Sequence, residues 1–195
     1  DKVPVYPLYR DGIVMISESD IEKAQHSWGQ GIVEIAAAYD AHSDYVQRAK
    51  DHINTLYAYD LGAVLFKPTL AVNQQFRSSF DGALSYFVAS NNACPEDKGF
   101  AIKGWTKVRF ENEGMVINES NELAMGNYFF TDQRGMETKD GYTFGYIQDE
   151  EEGSAFNRTT RQCPYRPPRA IWLVNQKLRG RFPISEWSPI PAIRQ

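Results

Sequence analysis

Histidine and cysteine are scarce in this chain, three and two among 195 residues. His26, His42 and His52 fit neither H-x-x-H nor H-E-x-x-H, and Cys94 and Cys163 form no cluster, so no protein-built metal site is expected. Two cysteines do not fix a redox compartment; free buried thiols suit them as well as a pair. A basic excess is also missing. The net charge is −4, which leaves nothing to neutralise phosphates and argues against a nucleic-acid partner. No apolar run approaches the ~20 residues that cross a bilayer. Neither a G-x-S-x-G elbow nor a glycine-rich phosphate cradle occurs, so no nucleotide cofactor is implied. The acidic run at 149–152 reads as a solvated hairpin tip. The chain begins at Asp1, compatible with a removed leader, and its compartment stays open between bacterial cytoplasm and periplasm.

What is present is a substantial core, 42% hydrophobic and 13% aromatic residues. Residues 1–16 read as an arm broken by Pro4 and Pro7, with a turn at Asp11-Gly12. Ser19 with Glu22 reads as a capping box. Ile21, Ala24, Trp28, Ile32, Ile35 and Tyr39 follow on one helical face, interrupted by Gly29 and Gly31, which imply close packing by another backbone. A second helix is expected from about 43 to 57, with Val46, Ala49, Ile53 and Leu56 buried. From Phe100 the period becomes two. Trp105, Lys107 and Arg109 share one face and Thr106, Val108 and Phe110 the other. Turns are expected at Glu113-Gly114, at 132–135 and at 151–153, between strands near 115–118, 123–131 and 138–148. The order implies an α+β domain, helices packed on one face of a curved antiparallel sheet.

The domain is expected over residues 17–157, because composition breaks after it. Residues 158–195 hold eight basic side chains, one acid and six of the ten prolines, a net +7 against −11 for the rest. This segment reads as a basic, proline-rich extension.

Residues 64–88 gather the candidate chemistry. A short strand ends at Lys67-Pro68, where proline removes a ladder donor. Ser78 or Ser79 then caps a short helix with Asp81 in its first turn and Phe80, Ala83, Leu84 and Phe87 on its buried face. Thr69 and Tyr86 are thereby aimed at one interior. Ser85, Trp105 or Thr106, Tyr128 and Tyr142 are the further hydroxyl or indole groups expected there, although buried tyrosines usually satisfy their hydroxyls locally.

The element order resembles the NTF2-like superfamily, a cone with a pocket between helix and sheet. The segments L-F-K-P-T (65–69), Q-Q-F-R (74–77), A-L-S-Y-F (83–87), G-x-Y-F-F (126–130) and Y-T-F-x-Y (142–146) resemble the calmodulin-kinase association-domain group, and within it the iota-class carbonic anhydrases. The resemblance implies reversible hydration of carbon dioxide to bicarbonate, without metal in several members. It places the catalytic pocket residues on Thr69 and Tyr86; Ser85, Thr106, Tyr128 and Tyr142, from the reading of the residues above, are the substrate-binding candidates. Bicarbonate and carbon dioxide are the implied small-molecule partners, and a homodimer or higher homo-oligomer the implied assembly. A His-His-Ser-Ser motif is also implied after the 151–153 turn. This chain instead has Arg158-Thr159-Thr160-Arg161-Gln162-Cys163-Pro164. Codons for that heptapeptide exist which, read from their third base, encode His-His-Ser-Ser-Val-Pro, so a change of reading frame is expected near 150–157. Two other functions fit the same fold: a non-catalytic association module, with Trp105, Lys107 and Arg109 as its interface, and small-molecule binding or isomerase chemistry.

Overall fold

In a computed structural model, residues 16–118 and 122–147 are described in full, and residues 9–10, 13–14 and 169–174 as strand backbone. The expected turns at 11–12 and 151–153, the motif position at 158–164 and Cys163 lie outside these residues. The two leading strands, β1 (Tyr9–Arg10) and β2 (Ile13–Val14), pair antiparallel.

Helix α1 spans Glu18–Asp40. Its cap is Ser17, not Ser19: Ser17 accepts the Asp20 N–H and Asp20 answers to the Ser17 backbone, so the capping box lies two residues earlier than expected. Ile21, Ala24, Trp28, Ile32 and Ile35 are buried, but Tyr39 is largely exposed and meets Tyr45 edge-on. Asp44 caps α2 (Tyr45–Leu56), whose buried residues are Ala49, His52, Ile53 and Leu56. The two glycines of α1 meet side chains. A Cβ on Gly29 would stand 3.1 Å from Val108 Cβ, and one on Gly31 only 2.1 Å from His52 Nδ1. Thus Gly31 is the space into which His52 fits. Burial lowers the pKa of that imidazole to about 3, so it is neutral in the folded protein.

The sheet runs β3–β7–β6–β5–β4, where β3 is Leu65–Lys67, β4 Trp105–Ile117, β5 Glu122–Asp132, β6 Glu137–Ile147 and β7 Arg169–Val174. Strands β4, β5 and β6 form the expected antiparallel meander. Two details differ. Glu113-Gly114 is a bulge within one long β4, where Gly126 lets the strands approach: a Cβ there would stand 2.1 Å from the Glu111 carbonyl oxygen. A second register shift at Thr106 turns Trp105 to the inner side, where it packs on Phe130 and donates to the Phe100 carbonyl, so Trp105 does not share a face with Lys107 and Arg109. Strand β7 comes from the segment expected as an extension. It pairs antiparallel with β6 and parallel with β3, and the apolar run 170–174 was its signal.

Helix α3 (Phe80–Val88) is capped by Ser79, whose hydroxyl accepts the Gly82 N–H. With α1 and α2 it covers the inner face of the sheet in the expected α+β arrangement. The shared core is heavily aromatic: Trp28 stacks on Tyr128 at 5.8 Å and meets Phe110, Phe130 and Phe144 edge-on.

Candidate active site

Between β3, α3 and the inner face of the sheet lies a cavity of about 250 Å³. Its walls are mainly aromatic, including Trp28, Tyr57, Phe66, Phe87, Phe100, Trp105, Tyr128, Phe130 and Phe144. Five polar residues interrupt them: Thr69, Tyr86, Lys103, Thr138 and Asp140. Thr69 and Tyr86 therefore share one cavity, the arrangement the local sequence predicts.

The hydroxyl of Thr69 is buried and, among the described residues, has no hydrogen-bond partner. An orphaned hydroxyl costs free energy unless something occupies the site, so a polar ligand or water is its natural complement. Burial holds the Tyr86 phenol well above the ordinary tyrosine range, with the Leu70 backbone N–H pulling the other way. Tyr86 is thus a neutral donor at any ordinary pH. The Tyr57 hydroxyl accepts the Trp28 indole N–H at 2.9 Å, which leaves its own proton free to point elsewhere.

Of the other expected site residues, Trp105 and Tyr128 line the cavity and three stand outside it. Tyr128 lines the cavity, stacked between Trp28 and Tyr142. Ser85 is fully buried outside it, its hydroxyl accepting the Cys94 N–H at 3.2 Å, so it ties α3 to the following loop. Thr106 stands at the bulge and donates to the Thr131 and Asp132 carbonyls, both at 3.2 Å, on the outer side of α1. Tyr142 sits at the other end of the inner face. Gln25 donates to its hydroxyl at 3.1 Å, and Tyr142 donates to Asn112. These three were expected in the pocket; local hydrogen bonds and a bulge take them elsewhere. Cys94 is buried as a free thiol.

Three polar wall residues went unread in the sequence. Thr138 and Asp140 alternate on β6 with Tyr142 and Phe144, so a period of two carries them to the same face, opposite Phe130 and Tyr128. That signal was available. Lys103 comes from a loop without periodicity and left none; desolvation lowers its pKa, and no carboxylate among the described residues lies within ion-pair distance of it. Among those residues no group of three or more histidine, cysteine or acidic side chains converges in a metal-holding arrangement.

The family profile described as metal-independent carbonic anhydrase matches residues 19–157. The chain belongs to the metal-independent carbonic anhydrase family. A relative in this family, the metal-independent carbonic anhydrase of Nostoc sp. strain PCC 7120, is 40% identical over 138 residues, covering 69% of this chain and 67% of its own. Among solved structures, an iota-carbonic anhydrase from a cyanobacterium, complexed with bicarbonate, is similar with a TM-score of 0.73 at 33% identity, over 89% of this chain and 96% of that one. The expected resemblance to iota-class carbonic anhydrases therefore holds across the three helices and the meander. The family match also ends at residue 157, where the charge balance reverses.

Proposed function

We propose that this chain binds carbon dioxide and bicarbonate in the aromatic cavity and interconverts them. The observation that carries the reading is the buried, unpartnered Thr69 hydroxyl on the same small cavity as the Tyr86 phenol. Aromatic walls suit a small apolar gas, and two neutral hydroxyls suit the oxygens of its hydrated product. In hydration, a water oxygen bonds to the carbon of carbon dioxide and loses a proton. Asp140, the one carboxylate among the described residues of this cavity wall, is the proposed acceptor of that proton. Thr69 and Tyr86 donate to the oxygens that gain negative charge, and the low dielectric of the site strengthens both contacts. The Lys103 ammonium adds positive potential at the same wall, favouring the anionic product.

Stopped-flow hydration on the whole chain, with and without chelator, tests the reading. Catalysis above background that survives chelation supports it; no rate above background sinks it. The family serine of the His-His-Ser-Ser motif would come from residues 158–164, and we hold to a changed reading frame there. Nucleotide sequencing tests this, since codons incompatible with the motif end the idea, and a chain with the motif restored should hydrate faster.

We also propose that the chain self-associates, on the outer sheet face that the alternative reading as an association module names. There Arg109 lies 3.6 Å from the Phe129 ring centroid and pairs with Glu137 at 2.9 Å. Sedimentation equilibrium showing only monomer removes that part.

A further inference from the structure

Residues 68–79, which carry Thr69 and Leu70 to the cavity, have neither helix nor strand of their own. Pro68 and Ala71 are buried, but hydrophobic burial does not hold the rest in place, for Leu70, Val72 and Phe76 are 41%, 70% and 62% exposed. A polar clasp does. The Arg77 N–H closes the loop onto the Phe66 carbonyl at 2.8 Å, and the Arg77 carbonyl accepts the Tyr59 hydroxyl at 2.7 Å. Its guanidinium, completely buried, pairs with Asp97 at 2.7 Å, lies 3.7 Å from Glu96 and donates to the Gln74 carbonyl. Glu96 reaches across from the next loop. One of its oxygens accepts the Val72 and Asn73 N–H groups, both at 2.9 Å, and the other accepts that of Gln74 at 2.8 Å. Those three donors begin three residues after Thr69, and the intervening turn is closed by the Ala71 N–H on the Pro68 carbonyl.

We propose that Glu96 and Arg77 are positioning residues for the carbon dioxide–bicarbonate site: by gripping the backbone of residues 72–74 they set where the Thr69 hydroxyl and the Leu70 N–H stand in the cavity. This rests on the bicarbonate reading of that cavity. The chemistry requires a carboxylate. Three N–H donors approach its two oxygens, and an amide has only one acceptor, so its NH2 must face a donor. Arginine is required for a related reason, because its planar fork addresses Asp97 and the Gln74 carbonyl at once and a lysine ammonium lacks that geometry. The backbone bonds hold the Glu96 carboxyl ionised, with a pKa near 2, so the grip is insensitive to ordinary pH.

The test compares Glu96→Gln, Glu96→Asp and Arg77→Lys with the unsubstituted chain, using bicarbonate titration by 13C NMR and amide hydrogen exchange. In Glu96→Gln the bicarbonate dissociation constant should rise about tenfold, and exchange at residues 69–74 should accelerate while β4–β6 keep their protection. Arg77→Lys should act in the same direction, and Glu96→Asp, which keeps both acceptor oxygens, should stay nearer the unsubstituted chain. Unchanged bicarbonate affinity in a loosened loop overturns the proposal, and so does a loop that does not loosen. If the unsubstituted chain binds no bicarbonate, the functional reading itself fails and this role goes with it; that result appears before any substitution is made.

Discussion

Two groups of polar side chains lie against the inner face of the sheet, and they are finished differently. At one end Gln25, Asn112 and Tyr142 satisfy one another: Gln25 donates to Asn112 at 2.8 Å, Asn112 returns the bond at 2.9 Å, and the tyrosine joins both. At the other end, among the described residues, Thr69 is left without a partner and Asp140 accepts only the N–H of its own neighbour, Gly141, at 2.9 Å. Both groups consist of ordinary polar residues on aromatic ground. The closed triad has used up its hydrogen bonds and serves packing. The open set has capacity left for something the described residues do not supply, which separates a site from a core.

The largest expected effect breaks the open end. Asp140→Asn should lower the hydration rate by about 10²–10³ at neutral pH, in the range for loss of a general base, with little change in melting temperature. Stopped-flow and calorimetry together check this; an unchanged rate returns Asp140 to a surface role. Next, Thr69→Val should cost about 10- to 100-fold in kcat/KM, within or below what one oxyanion donor supplies. Its melting temperature should stay level or rise, because an unsatisfied hydroxyl is gone. A clear fall in stability would show that this hydroxyl is bonded after all.

The closed end should behave in reverse. Tyr142→Phe leaves Gln25 and Asn112 short of a partner and should destabilise by about 1–3 kcal/mol in urea denaturation, with hydration unchanged within a factor of two. A large rate loss without destabilisation would erase the distinction between the two ends.

The most gradual effect concerns pH. His52 has a folded pKa near 3, below its unfolded value of about 6.5, so the unfolded chain binds the extra proton. Stability from this group is complete above the unfolded pKa. It falls as pH drops from about 6.5 towards 3, by at most ~1.4 kcal/mol per unit. Replacing His52 with leucine should flatten that part of the urea-midpoint profile; an unchanged slope would assign it to other groups.

Helix periods, the Ser79 cap and the meander were legible because burial on one face imposes a repeat on the residues themselves. Thr69 and Tyr86 were legible for the same reason, since a proline stop and a short amphipathic helix fix their directions. Of the pair Trp105 or Thr106, Trp105 lines the cavity; Thr106, and the face that Trp105 was to share with Lys107 and Arg109, were misplaced because a single extra residue in β4 inverts the alternation, and nothing in W-T-K announces it. Ser85 and Tyr142 looked like site residues because a hydroxyl on a buried stripe does not reveal whether its partner is a ligand or a neighbour. The clasp was hidden for another reason. Glu96 and Arg77 lie in irregular loops and meet across 19 positions of chain, a pairing that only the folded backbone displays.

The parallel pairing of β3 with β7 has a consequence in time. Leu65–Lys67 has one strand neighbour, and that neighbour begins at residue 169, so about a hundred residues must be made before the strand ahead of Thr69 can dock. Contacts of such long range carry a large loop-closure cost and form late. During synthesis the helices and the β4–β6 meander can assemble first, with one wall of the cavity still loose. Whatever is encoded at 169–174 therefore decides when the cavity closes, and a nascent chain shorter than that carries its threonine on an undocked edge.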